Sequence, residues 1–209
     1  MSALPEPVPR LTPQEYLEGE RLAEFKREYL NGEVYAFAGT SEAHVDVVCN
    51  CVASIHTQFK GRDCKVYSSD LRVKVNASGP YVYPDVVAVC GERVFEDEEL
   101  DTLLNPTVII EVLSDSTEAH DRGWKWQHYQ KLPSLREYVL VAQDQVRVEH
   151  YIRQENDMWL LWIGEDLEAT LKLASIRCEV PLADLYDKVQ FPTKQTPPGE
   201  TGDDQVASN

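Results

Sequence analysis

Two short apolar runs with one helix-length segment between them constrain this chain most. PTVIIEVL at 106–113 and LREYVLVA at 135–142 are dominated by β-branched and large aliphatic residues. Runs of this kind read as strands buried on both faces of a sheet. The segment between them, from about Thr117 to Leu132, reads as a helix that Pro133 ends. A strand, a crossover helix and a second strand are expected to lie with the two strands parallel, since only a long connection can return the chain to the same end.

The elements upstream follow from equally local signals. LTPQEYLEGERLA opens a short helix with Pro13 in its first turn. KREYLNGEVYAFA reads as a hairpin turning at Asn31–Gly32. In TSEAHVDVVCNCVASIHTQFKG, Val45, Val48, Cys49, Val52, Ile55 and Phe59 recur at helical spacing, with Ser41 as cap and Gly61 as stop. Strands are expected over about 64–75 and 81–90. VRVEHYIR and MWLLWIG read as a later antiparallel pair, and EVPLADLYDKV as a short closing helix. The fold class is α/β: a core of helix, three strands, helix and strand, with an added N-terminal helix and hairpin and C-terminal strands.

The 209 residues suit one domain, expected over 11–192, between a Pro-rich flexible N-terminus (1–10) and a disordered polar tail (193–209). No apolar run is long enough for a membrane helix, and the N-terminus lacks a basic region followed by an apolar stretch. A cytoplasmic protein with no membrane partner is expected. The five cysteines, with no CxxC pair and an odd count, point to reduced, buried thiols rather than a disulfide frame. A net charge of −16 argues against tight, nonspecific binding of a phosphate backbone, yet leaves room for an acidic site that meets phosphate through a cation.

One acid interrupts each of two neighbouring runs. In 107–113, Val108, Ile110 and Val112 share one face, and Ile109, Glu111 and Leu113 the other. In YVYPDVVAVC the acid is Asp85, behind Pro84, which marks a strand start, an edge or a bulge. Singly, each acid can pair with an arginine or cap a strand end. Together they suggest convergence, and two carboxylates brought together need a proton or a cation between them. Hard oxygen ligands suit magnesium or manganese. On the following helix Asp121, Lys125 and Tyr129 form one stripe. It is either a surface ion pair or an inward face that brings a lysine to the carboxylates. His44 reads as a solvated first-turn residue or a ligand contact, and Asp70 as a bulge, edge or site residue. No histidine pair shows zinc spacing.

The order of elements, with PD in the second strand and an acid in the third, resembles the PD-(D/E)XK nuclease fold. EYLNGEVY, a Ser–x–x–His segment at 41–44, YPDVVAV, VIIEVLSDST and DRGWKWQHYQKLPSLREYVLV more narrowly resemble the Uma-two family of restriction-endonuclease-like proteins, over roughly residues 11–190. The resemblance implies a divalent-metal-dependent endonuclease acting on phosphodiester bonds, with DNA as substrate and Mg²⁺ or Mn²⁺ as cofactor. Asp85, Glu111 and Lys125 would be catalytic; Asp85, Glu111, Glu28 and the Val112 carbonyl would bind metal. Glu33, His44, Asp70, Asp121 and Tyr129 are accessory candidates. The superfamily places its lysine two residues after the second acid; here that position is Leu113, and Lys125 takes its place. A homodimer suits a duplex-cutting enzyme, with MWLLWIG as contact surface or core. The alternative is a non-catalytic binding or assembly module that keeps the nuclease fold.

Overall fold

A computed structural model describes residues 10–36, 40–77 and 79–191. The expected flexible N-terminus (all but Arg10) and the expected tail at 193–209 lie outside the described residues.

Helix α1 (Pro13–Glu20) starts with a capping box in which Thr12 and Glu15 satisfy each other's backbone N–H groups. The hairpin of β1 (Arg27–Leu30) and β2 (Glu33–Ala36) turns at Asn31 and Gly32, both with positive φ, as this tight turn requires. Helix α2 (Glu42–Phe59) is capped by the Ser41 side chain and followed by Gly61 in the left-handed region. Next come β3 (Cys64–Ser68), β4 (Arg72–Lys74), β5 (Tyr81–Val82), β6 (Val86–Cys90), β7 (Thr102–Leu103) and β8 (Val108–Leu113). The crossover holds α3 (Glu118–His120), a π-helical turn (Asp121–Lys125) and α4 (Trp126–Tyr129). After it follow β9 (Glu137–Ala142), β10 (Val148–Arg153), β11 (Trp159–Gly164), β12 (Thr170–Leu173), a 3₁₀ turn (Ala174–Ile176), β13 (Cys178–Pro181) and α5 (Leu182–Leu185).

Among the described residues the strands form a six-stranded sheet ordered β11-β10-β9-β8-β6-β3, a five-stranded sheet ordered β2-β1-β5-β4-β7, and the β12–β13 pair. β8 and β9 are parallel in continuous register, as the crossover requires. The expected strands 64–75 and 81–90 are each cut in two. Their outer halves, β3 and β6, pair in the large sheet, while β4 and β5 pair in the small one. Pro84 cannot donate to a ladder, and across from it the Asp70 N–H folds back on the Ser68 carbonyl at 2.7 Å. Both breaks fall at one level, since Ser68 pairs with Val86. The sheet therefore forks there, and Asp85 stands at the fork.

Helix α2 covers one face of the large sheet. Its Val47, Cys51, Ile55 and Phe59 pack with Val86, Ala88, Val108, Ile110, Val112, Val139 and Val141. Each fully buried side chain of this size contributes about 1.5–3 kcal/mol. On the opposite face Ile109, Leu113, Tyr138 and Leu140 pack with Tyr129 of α4 and with Val73, Val82 and Leu103 of the small sheet. Glu111 points into this second layer.

Two further expectations are corrected. The closing segment is part strand: Cys178–Pro181 pairs with β12 before the four-residue α5 begins. Nor are all five thiols reduced and buried. Cys64 and Cys90 stand directly opposite each other in the β3–β6 register and form a disulfide; of the others, Cys49 is exposed, while Cys51 and Cys178 are buried. No helix among the described residues is long and apolar enough to cross a membrane.

Candidate active site

The fork brings together groups from four parts of the chain. Glu111, 2% exposed, accepts hydrogen bonds at Oε1 from Lys125 Nζ (3.0 Å) and Tyr129 OH (2.9 Å). Its Oε2 faces the other way and accepts the Asp85 N–H at 3.3 Å. The Asp85 carboxylate is held at both oxygens: Oδ2 accepts the Val112 N–H at 2.8 Å, and Oδ1 lies 3.1 Å from His44 Nε2. In a strand the N–H and C=O of one residue point to the same side. The Val112 carbonyl therefore also faces the fork, beyond the last β6–β8 pair at Val86 and Ile110.

Glu28 arrives from β1. Its buried carboxylate accepts the Tyr83 N–H at 3.1 Å and lies 3.6 Å from Lys125 Nζ and 3.8 Å from His120 Nε2. Asp121 completes the group, with Oδ1 3.0 Å from the same ammonium. The π turn carries Asp121 and Lys125, and the Trp126 N–H reaches back five residues to the Asp121 carbonyl. Such wide turns recur at functional sites. Tyr138 OH also donates to that carbonyl, at 3.1 Å, and so fixes the turn against β9.

Three carboxylates, Glu111, Asp121 and Glu28, thus surround one lysine, and Asp85 lies on the far side of Glu111. Burial, with added repulsion from Asp121, Asp85 and Glu28, pushes the Glu111 carboxyl well above the usual range despite the attraction of Lys125. Burial alone would lower Lys125, but Glu111, Glu28 and Asp121 outweigh it and hold the amine well above its ordinary value. Burial and the adjacent Glu111 charge raise Tyr129, which stays a hydrogen-bond donor. Burial, then the Lys125 charge, lowers His120. The cluster is short of positive charge. Asp85 is its accessible member, with 18% of its side chain exposed.

This donor chemistry suits a hard divalent cation. Among the described residues no three His, Cys, Asp or Glu side chains form a ready-made cage. Magnesium does not need one, because it keeps several waters and takes one or two carboxylates. Asp85, Glu111 Oε2 and the Val112 carbonyl offer that set.

Of the residues singled out in the sequence, Asp85, Glu111, Lys125, Glu28, Val112, Asp121 and Tyr129 meet here. His44 joins them, so the solvated first-turn reading is corrected: its side chain is 14% exposed and turned onto Asp85. Its Nδ1 is buried with no hydrogen-bond partner among the described residues. Two accessory candidates fall elsewhere. Glu33 is exposed at the turn end of the hairpin, where Tyr35 OH donates to it. Asp70 is not in a strand; its side chain is 83% exposed and pairs with Lys26. His120 and Tyr138 were not singled out. Only the position of His120 beside Asp121, on a helix already suspected of facing the acids, carried a signal.

Fold and site define a restriction-endonuclease-like α/β protein. A crystal structure of "a putative nuclease belonging to DUF820" from Anabaena variabilis ATCC 29413 superposes with a TM-score of 0.69 at 20% identity, over 84% of this chain and 97% of that one. The family model Uma2, described as "Putative restriction endonuclease", matches residues 13–181, and the chain belongs to that family. Two uncharacterized proteins of Synechocystis sp. (strain ATCC 27184 / PCC 6803 / Kazusa) are similar along most of their length. For slr1290 the identity is 32%, over 88% of this chain and 96% of that protein. For sll1609 it is 34%, over 79% and 95%.

Proposed function

We propose that this protein is a divalent-metal-dependent endonuclease that hydrolyses phosphodiester bonds in DNA. The observation that carries the reading is the fork, where the Asp85 N–H meets Glu111 Oε2 and the Asp85 carboxylate meets the Val112 N–H, in a cluster with more negative than positive charge. The family's description as nucleases points the same way.

Asp85, Glu111 and the Val112 carbonyl would hold Mg²⁺ or Mn²⁺, with Glu28 in support. Bound there, the ion supplies Lewis-acid polarisation of a phosphoryl oxygen and a lowered pKa for water. Lys125 acts as a cation and not as a base, because three carboxylates keep it protonated. It fixes Glu111 through Oε1 and leaves Oε2 turned to the Asp85 N–H, where it would meet the ion. His44 and the Val112 N–H together orient Asp85. Tyr129 holds Glu111 Oε1 from the second side. The protein is read as a cytoplasmic homodimer and as a single domain over 11–192; light scattering tests the dimer.

The second reading is a non-catalytic binding or assembly module, which the net charge of −16 favours. Incubation of supercoiled plasmid and single-stranded circular DNA with Mn²⁺ or Mg²⁺ separates the two. Wild type should cleave, with Asp85→Asn and Lys125→Met slower by about 100-fold or more. No cleavage of either substrate, or equal cleavage by all three proteins, would remove the endonuclease reading.

A further inference from the structure

Beside the acidic cluster, one further stripe of the crossover helix has a shape of its own. His120, Trp124 and His128 recur every four residues, one position before the inward stripe of Asp121, Lys125 and Tyr129. Their rings form a continuous stack. His120 lies 5.2 Å from Trp124 with the planes 6° apart, and Trp124 lies 4.0 Å from His128 at 21°. His128 is locked in place, its Nδ1 donating to the Trp124 carbonyl at 2.8 Å. Trp124 is half-buried against the core layer that contains Tyr129 and Tyr138. The near end of the stack is His120, whose side chain is 35% exposed and 3.8 Å from Glu28. Among the described residues Trp124 is the only ring stacked on it. A rigid flat surface therefore ends at the rim of the cluster.

The charges nearby limit what such a surface can bind. A duplex is normally held through its phosphates by lysine and arginine, with release of counterions. Here the two cations within five residues of His120 on this helix are already engaged. Lys125 is enclosed by Glu111, Asp121 and Glu28, and Arg122 is gripped by both oxygens of Glu149 and by Glu118. The chain as a whole carries −16. Affinity at this rim must come from contacts that do not depend on phosphate charge, and aromatic stacking on a base is the main one available to nucleic acids.

We infer that the His120–Trp124–His128 stack is a base platform: an unpaired nucleobase stacks on the outer face of His120 and so delivers single-stranded or frayed nucleic acid to the acidic cluster. The inference rests on the nuclease reading and narrows its substrate class. It makes base exposure, rather than duplex backbone, the feature recognised.

Fluorescence anisotropy in EDTA, where no metal-dependent cleavage proceeds, tests it on the full chain. The probes are a labelled oligothymidylate, an abasic sugar-phosphate strand of equal length, and an oligothymidylate–oligoadenylate duplex. Oligothymidylate should bind at least about tenfold more tightly than either other probe. His120→Ala should erase most of that difference and His120→Phe, which restores a flat ring without the imidazole nitrogens, should keep it. Raising the salt should change the difference little. Equal binding of the abasic strand, tighter binding of the duplex, or indifference to His120→Ala would overturn the platform. So would His120→Phe binding as weakly as His120→Ala while retaining wild-type circular dichroism. DNA cleavage in Mn²⁺ alongside any of these results would leave the nuclease reading standing and sink the platform alone. Absence of both binding and cleavage would sink the two together.

Discussion

Lys125→Met removes the one buried cation from among Glu111, Asp121 and Glu28 and keeps a side chain of similar length. The wild-type ammonium lies 3.0, 3.0 and 3.6 Å from those carboxylates, and its side chain is only 6% exposed. Water cannot replace it at that depth. Removing one partner of a buried charged group costs about 3–5 kcal/mol, because the remaining charges are left uncompensated. With a urea dependence of about 2 kcal/mol per molar, the unfolding midpoint should fall by about 1.5–2.5 M. The double variant Lys125→Met/Glu111→Gln removes the most enclosed of the stranded charges and should regain about 2 kcal/mol. Urea titrations followed by tryptophan fluorescence read both. A midpoint for Lys125→Met within about 0.3 M of wild type would show that Lys125 is no buried counter-charge, since a change that small corresponds to a surface pair. A double variant no more stable than the single one would show that Glu111 does not carry the stranded charge.

Other expectations concern different parts of the molecule. Asp101 is half-buried, and burial pushes its carboxyl up, but bonds from Arg21 and the buried Arg72 outweigh that and hold it well below its usual value. A lowered folded pKa gives stability that is present above the unfolded value of about 3.9 and is lost as pH falls through the folded one. Asp101→Asn should therefore flatten the acid side of a stability–pH curve and cost about 1–3 kcal/mol at neutral pH, read by urea unfolding across pH. His44→Ala frees Asp85 Oδ1 and should weaken Mn²⁺ binding about 10- to 100-fold in a calorimetric titration, with the unfolding midpoint changing far less than for Lys125→Met. Cys64→Ser opens a link between residues 26 apart and should cost about 3–4 kcal/mol in non-reducing buffer, and a dithiol reductant should bring wild type down to the variant. Thermal melts with and without reductant check it.

Much of the site was legible because it depends on local pattern. The alternation through Thr107–Leu113 put Glu111 on one face with Ile109 and Leu113, and the core layers divide along that line. The four-residue spacing of Asp121, Lys125 and Tyr129 predicted a common face, and all three side chains turn inward. What stayed hidden depends on pairing between distant strands. The fork needs the breaks at Ser68–Asp70 and Pro84 to fall at one level, which only the β3–β6 register reveals. The same register opposes Cys64 and Cys90, and no cysteine spacing announces it. Glu28 and Glu33 look alike in EYLNGEVY, yet one is buried against Tyr83 and the other sits in solvent at the turn. His44 was misread because a first-turn residue is normally wet, and here the fork end of β6 comes to meet it.

The proposed function requires the fork to be a divalent-cation site built on Asp85 and Glu111. Calorimetric titration of Mn²⁺ into the wild type and into Asp85→Asn tests it without any nucleic acid. Saturable binding by the wild type is expected, with loss of that binding in the variant, whose unfolding curve stays cooperative. No saturable binding by the wild type, or binding by Asp85→Asn at the same affinity, would contradict it.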